Sequence, residues 1–282
     1  MFDMFQLDFM VLAFVVSIII GIVLSYLGVH VVGRGIVFVD LALGQIASLG
    51  VAYSDYVGYG KTIIPIVFAL SGALLMSLIN IRDKRLRLEA VIGIIYAVAS
   101  AITVMLISKT PHGDSDIQEV LFGNILSIDW AQIKIIGIIF GGIALFHLIF
   151  HKKFFMLTEC FENENPKMAS TIFKKKGEFS FWNFMFYLSI GLAIVFAVRV
   201  SGVIPVFSFL IIPAVGAIMV SKNNLGLVIT AIIISLLGTF FGLNISYHYD
   251  FPAGSSLVAV LGGIFLMISL FYLFKTRIKK KK

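Results

Sequence analysis

Residues 183–220 read NFMFYLSIGLAIVFAVRVSGVIPVFSFLIIPAVGAIMV, with a single charged side chain, Arg199. A helix needs about 20 mostly apolar residues to cross the hydrocarbon core of a bilayer. This stretch supplies two such segments, at 183–199 and 203–220, divided by Arg199-Val-Ser-Gly202. The apolar run does not alternate with period two, as a barrel strand would. It therefore predicts an all-α fold built in lipid.

The same reading extends along the chain. Further candidate spans lie at 9–29, 36–54, 62–81, 89–108, 131–151, 225–247 and 254–274, making nine in all. The least defined boundaries are Gly33-Arg34-Gly35 and Arg199 to Gly202. Each reads as a kink, a re-entrant turn or a short loop, so eight spans plus a half-helix is the alternative. The predicted fold class is a polytopic membrane protein with 8–9 transmembrane helices in one domain over residues 1–282.

Composition agrees. Of the 282 residues 60% are hydrophobic and 13% are charged, and the mean hydropathy is +1.04. Soluble domains are about 45–50% apolar and about 25% charged. A soluble fold of this size could not hide so much apolar surface. Disordered chains and disulfide scaffolds are excluded too, the latter because Cys160 is the single cysteine. Met1 to Asp8 carries no basic residue, unlike a cleavable signal peptide, so the first apolar run reads as a retained helix. The net charge of +7 bears on orientation in the bilayer and not on nucleic acid.

With nine spans and a cytoplasmic C-terminus, 18 of the 22 Lys and Arg residues fall on the cytoplasmic side. Lys61, Lys109, Lys134 and Arg199 remain outside. This is the positive-inside pattern, and it places the N-terminus outside. Two segments between spans are long: residues 152–182, polar and cytoplasmic, and residues 109–130, external. Asp116 to Ile128 is expected to form a short amphipathic helix on the outer surface.

The chain shows no machinery for its own chemistry. A phosphate-cradling loop needs G-x-x-x-x-G-K-[ST]. The one Gly-Lys-Thr, Gly60-Lys61-Thr62, has Asp55 where the first glycine belongs. No nucleophile elbow, HExxH or CxxC occurs. No catalytic residue and no bound cofactor is expected.

The informative residues are the polar ones inside the bilayer, because a charge in hydrocarbon is costly. Asp40, Gly44, Gln45 and Ser48 fall on neighbouring turns of the second span. This stripe reads as a path for a polar or cationic solute, with Asp40 and Gln45 as candidate metal ligands. The alternative is a helix–helix interface in which Asp40 pairs with Arg34 or with a backbone donor. His30 reads as a capping or interface residue. His147 and His151 are four residues apart at a helix end, where the dipole alone favours histidine. Two external clusters, His112 with Asp114 and Asp116, and His248 with Asp250, combine nitrogen and carboxylate donors suited to a transition-metal ion. For each, partner docking is the reading favoured over direct metal ligation, since loops carry many such groups by chance. Pro205 and Pro213 are bends of the kind that line transporter paths. Residues 213–226 run from the membrane to the cytoplasm and straight back, a shape that could press into a cytoplasmic protein.

Three of these stretches resemble one family. They are Gly33 to Gly50 (GRGIVFVDLALGQIASLG), Arg199 to Ala217 (RVSGVIPVFSFLIIPAVGA) and Leu243 to Ser256 (LNISYHYDFPAGSS). The last resembles a Ser-Tyr…Asp-x-Pro-Ser-Gly block. Together they resemble the permease subunit of ATP-binding-cassette importers for zinc, manganese or iron, the family often called ABC-3. The resemblance covers nearly the whole chain. It implies a type II importer-like permease that works as a pair, either two identical copies or two related chains. It also implies two ATPase subunits below the pair and an extracytoplasmic metal-binding protein above it. A putting-together of these parts makes the transported divalent ion a passing substrate. Residues 217–226, with Ala217, Ser221, Asn224 and Gly226, become the coupling helix inserted into the ATPase. Asp40 matches the aspartate associated with the family's metal path. Many members carry histidine four residues later, where this chain has Gly44 followed by Gln45, and the Pro-Ser-Gly block here reads Pro252-Ala253-Gly254.

The expected function is thus import of zinc, manganese or iron across a prokaryotic inner membrane, with ATP hydrolysed by a separate subunit. Two other classes fit the composition. A gradient-driven secondary transporter would need no ATPase, and usually carries more ionisable groups in the membrane than Asp40 alone. A non-transport assembly or sensor protein would use 152–182 as its effector surface.

Overall fold

The computed structural model describes residues 3–60, 63–79, 88–109, 121, 123–162 and 181–280. Among these residues there are no strands. The α-helices bounded within the described residues are, in order, α1 (Asp8–Gly33), α2 (Val39–Val57), α3 (Ile63–Leu78), α4 (Leu88–Ile107), α5 (Trp130–Ile149), α6 (His151–Glu162), α7 (Phe181–Ser201), α8 (Val203–Val220), α9 (Asn224–Tyr249) and α10 (Ala253–Lys280). Short 3-10 turns occupy Asp3–Gln6 and Ile125–Ser127.

Each of the nine apolar segments is a helix. Among the described residues, seven helices are long and apolar enough to cross a membrane: α1, α4, α5, α7, α8, α9 and α10. The apolar α3 is shorter, at 16 residues. The 19-residue α2 is long enough, but it carries Asp40, Gln45, Ser48, Ser54 and Asp55. Both weak boundaries are true breaks. Between α1 and α2, Gly35 takes a left-handed φ of 66°. Between α7 and α8 the single residue Gly202 interrupts the helix with φ 78°. Side chains rarely adopt that region, which is why glycine stands at both.

Two segments between the apolar runs carry further structure. The start of the 152–182 segment is a helix, α6, because Phe154, Leu157 and Thr158 recur at helical spacing and are buried. In the segment 109–130 most of the expected amphipathic helix lies outside the described residues; within its described part Leu121 is helical and Ile125–Ser127 is a 3-10 turn.

The chain divides into two compact units, Met1–Val32 with Asn124–Phe140 and Ile204–Lys282, and Gly33–Gly123 with Gly141–Val203. In the first unit, Gly28 of α1 lies directly against the backbone of Leu210 in α8, leaving no room for a side chain. Gly238 and Gly242 of α9 receive Leu261 and Leu257 of α10 in the same way. Small residues of this kind are how membrane helices approach closely without a hydrophobic driving force.

In the second unit α2 contacts α3, α4 and α7. A Cβ added at Gly50 would stand 2.8 Å from the Cα of Pro65 and 2.9 Å from the Cβ of Phe68, so glycine sets the α2–α3 approach. The buried residues of α4, Ile92, Ala99, Thr103 and Ile107, form a single stripe. Its Ile94, Val98, Ile102, Val104 and Met105 are exposed, as suits a lipid-facing surface. Enclosure by three neighbours explains how α2 can be the most polar of the nine.

Candidate functional site

The polar stripe on α2 survives in three dimensions. Asp40 lies in the first turn and is 2% exposed. Its Oδ1 accepts a hydrogen bond from the Leu41 N–H at 2.8 Å. Its Oδ2 is buried and has no hydrogen-bond partner among the described residues. One turn on is Gly44, where a Cβ would lie 3.6–3.8 Å from Val203, Ile194 and Val198. One turn further is Ser48, 1% exposed, whose Oγ is likewise unpartnered among the described residues. Gln45 is also buried. A rise of 1.5 Å per residue separates Asp40 from Ser48 by about 12 Å along the axis. One ion could not touch both, so a cation using this stripe would meet its oxygens in turn, as along a track.

The pairing of Asp40 with Arg34 does not occur. Arg34 is buried and turns toward α6 and α7. Its Nε donates to Thr158 Oγ1 and its Nη1 to Asn183 Oδ1, both at 3.4 Å. The guanidinium lies over the Phe186 ring, 3.4 Å from the centroid. Sequence reasoning counted Arg34 for orientation and missed this cluster, because its partners lie 124 and 149 residues away. The signal that could have found α6 was the spacing of Phe154, Leu157 and Thr158.

His147 is buried and stacks on Phe154 with centroids 4.1 Å apart. His151 is exposed, and its Nδ1 contacts the Leu148 carbonyl at 2.9 Å. The two histidines thus occupy different surroundings and form no shared metal site. His30 is buried edge-on against Tyr26, in keeping with an interface role.

His248 and Asp250 belong to the first unit, Asp40 and Gln45 to the second. His248 is exposed, with Nδ1 3.0 Å from the Asn244 carbonyl. Asp250 caps α9 in a left-handed conformation, φ 55°, and its N–H donates to the Ser246 carbonyl. The corner is closed by Ser246 Oγ donating to the Phe251 carbonyl at 2.7 Å. No group of three or more His, Cys, Asp or Glu residues able to hold a metal occurs among the described residues. His112 and Asp114 lie outside the described residues, as does Asp116.

The expected coupling segment is not a helix of its own. It is the end of α8, a turn at Ser221 to Asn223, and the first turn of α9. Ala217 is buried, and its carbonyl accepts from the Ser221 N–H at 2.9 Å. Ser221 Oγ donates to Thr230 Oγ1 at 3.0 Å. Asn223 caps α9, its Oδ1 accepting from the Gly226 N–H at 2.9 Å, and Asn224 and Leu225 stand exposed beside it. The turn is therefore hydrogen-bonded on both flanks and exposed from Lys222 to Leu225.

The sequence profile of the ABC 3 transport family matches residues 6–272. The chain belongs to this family. Among curated relatives, the manganese transport system membrane protein MntC of Listeria monocytogenes is 27% identical over 270 residues, 94% of this chain and 91% of that protein. The manganese import system permease protein ScaB of Streptococcus gordonii is 28% identical over 96% of this chain and 93% of its own length. The chelated iron transport system membrane protein YfeD of Yersinia pestis is 25% identical over 99% and 90%. Among solved structures, PsaBC from Streptococcus pneumoniae in complex with a Fab superposes with a TM-score of 0.77, at 24% identity, covering 93% of this chain and 91% of that one. That likeness bears on the ABC 3 fold alone.

Proposed function

We propose that the chain is the membrane permease of an ATP-driven importer of divalent transition-metal ions: manganese, iron or zinc. The observation that carries the reading is Asp40 Oδ2, a buried carboxylate oxygen without a hydrogen-bond partner among the described residues, on the most polar of the nine apolar segments of an ABC 3 chain. An unmet buried acceptor costs about 1–3 kcal/mol, more when charged. A cation in transit would offset that cost. Manganese and iron appear in the names of the relatives MntC, ScaB and YfeD.

In this reading the permease sits in the inner membrane with its C-terminus in the cytoplasm, paired with a second permease copy. A loaded extracytoplasmic binding protein docks on the outer corners, which include His248, Asp250, His112 and Asp114. Separate ATPase subunits engage the turn formed by Ala217, Ser221, Asn224 and Gly226. Nucleotide-driven closure moves the helices, and the ion leaves the binding protein and passes Asp40, Gln45 and Ser48. The chain's own part is to orient Asp40 through the Leu41 N–H, to exclude lipid from the track, and to present a hydrogen-bonded turn to the ATPase.

The test is Asp40→Ala in the assembled transporter. Manganese uptake should fall at least tenfold, while the complex still assembles and hydrolyses ATP. Uptake at the wild-type rate would refute the role of Asp40 as a path residue.

A further inference from the structure

We propose that α6 is a second transmission element of the permease, and that Arg34 is the positioning residue through which its movement reaches Asp40. The proposal rests on the import reading above.

Arg34 stands in the short link between the end of α1 at Gly33 and the start of α2 at Val39. That link is held to α6 at two adjacent points. A Cβ on Gly33 would lie 2.6 Å from Thr158 Cγ2, so the backbone there touches α6 directly. Beside it, Arg34 Nε donates to the same Thr158. Thr158 Oγ1 in turn donates to the Phe154 carbonyl at 3.0 Å. Phe154, fully buried, is fixed by His147 of α5 and by Trp182 and Phe186 of α7, at 4.1, 6.0 and 6.2 Å between centroids. One face of α6 is thus locked into an aromatic box, and the box also receives the Arg34 guanidinium. The first turn of α6 carries His151, Lys152 and Lys153, all exposed.

Three physical points favour transmission over a passive anchor. First, a basic residue needed only for orientation could be lysine. Two acceptors on two helices and a ring face need the planar fork of arginine. Second, the hydrogen bonds to Thr158 and Asn183 go to two different helices, so a movement of α6 against α7 is felt at the guanidinium. Third, Asp40 lies six residues after Arg34, within the first turn of α2. A shift of the link therefore repositions the carboxylate before any other polar residue of the track.

The experiment uses the complete transporter, with ATPase and binding protein, in proteoliposomes supplied with manganese. It measures ions moved per ATP hydrolysed for Arg34→Lys, Thr158→Val and their combination. Each single variant should lower the ratio at least fivefold, with ATP hydrolysis within twofold of wild type. The double variant should be no worse than the worse single one. In parallel, spin labels at Lys153→Cys and Tyr56→Cys, in a Cys160→Ser background, report the distance between α6 and the far end of α2. It should change with nucleotide state in the parent and stay fixed in Arg34→Lys. An unchanged ratio in Thr158→Val, which keeps the shape of the side chain, would overturn the proposal. So would a nucleotide-dependent distance change preserved in Arg34→Lys. Normal uptake by Asp40→Ala would instead refute the import reading, and would leave the distance measurement to decide the role of α6.

Discussion

Gly44 allows a graded test of how tightly the track is closed. A Cβ at this position would lie 3.6 Å from Val203 Cγ1, 3.7 Å from Ile194 Cγ2 and 3.8 Å from Val198 Cγ2. These are ordinary contact distances, so alanine fits without movement. Gly44→Ala also removes the entropic cost of glycine inside a helix, about 1 kcal/mol. Histidine is different. Its ring extends beyond Cβ into the space the three methyl groups already fill, and overpacking of this kind costs about 1–3 kcal/mol. The expected order of stability is alanine, then glycine, then histidine, with about 2–4 kcal/mol between the extremes. Val203→Ala removes one of the three methyls in the way and should recover part of the histidine penalty. The assay is thermal unfolding of the purified permease in lipid nanodiscs. At about 2–4 °C per kcal/mol for a chain of this size class, the extremes should differ by roughly 4–16 °C. A Gly44→His permease as stable as Gly44→Ala would mean that the α2–α7 contact is loose, and would refute the packing argument. A paired functional readout follows from the same variants. An added imidazole beside an oxygen-only track should raise zinc uptake relative to manganese in Gly44→His with Val203→Ala.

Two other changes probe the turns. Asn223→Ala removes the side chain that accepts from the Gly226 N–H, and should lower the unfolding midpoint by the equivalent of about 1 kcal/mol. If this turn contacts the ATPase, the same variant should lower uptake per ATP, which is read in proteoliposomes. Asp250→Gly should leave stability unchanged or raise it by up to about 1 kcal/mol, because φ 55° is strained for a side chain and free for glycine. Binding-protein-stimulated ATP hydrolysis then isolates the carboxylate, since a fall without destabilisation is expected if Asp250 is a docking group.

Helix positions were legible because lipid imposes one simple rule, a long apolar run with satisfied backbone. The same rule flagged the two breaks, where an arginine and glycines interrupt that run, and the structure turns at Gly35 and Gly202. The candidate path was legible in part. Asp40 and its neighbours stood out because polar side chains are rare between residues 36 and 54. What stayed hidden was every relation set by tertiary contact. Arg34 is six residues from Asp40 and seemed a natural partner by sequence, yet its side chain turns to helices more than a hundred positions later. Helix α6 hid behind its charges, because Lys152, Lys153, Glu159 and Glu162 mask a buried stripe of only Phe154, Leu157 and Thr158. His147 and His151 matched a ligand spacing, and only burial distinguishes them.

The polar content of α2 follows from where it sits. A carboxylate at the centre of a lipid-exposed helix costs about 2.5–3.5 kcal/mol on insertion scales, and more in simulations. Helix α10 shows the alternative, with Leu266, Met267, Leu270, Phe271, Leu273 and Phe274 exposed and no acidic side chain along its length. Placing α2 among α3, α4 and α7 removes Asp40, Gln45 and Ser48 from lipid, but it supplies no partner for Asp40 Oδ2 or Ser48 Oγ among the described residues. A helix needed only for packing would fare better with apolar residues at these positions, since replacing unmet polar groups by apolar ones of similar shape is close to neutral or stabilising. Two unmet oxygens on one face, a turn apart from a glycine on either side, are a persistent cost within an otherwise well-packed unit. Such a cost makes physical sense if a cation meets those oxygens during the cycle, and the contrast between Asp40→Ala and Gly44→Ala separates that use from packing: the first should lose transport and the second should gain only stability.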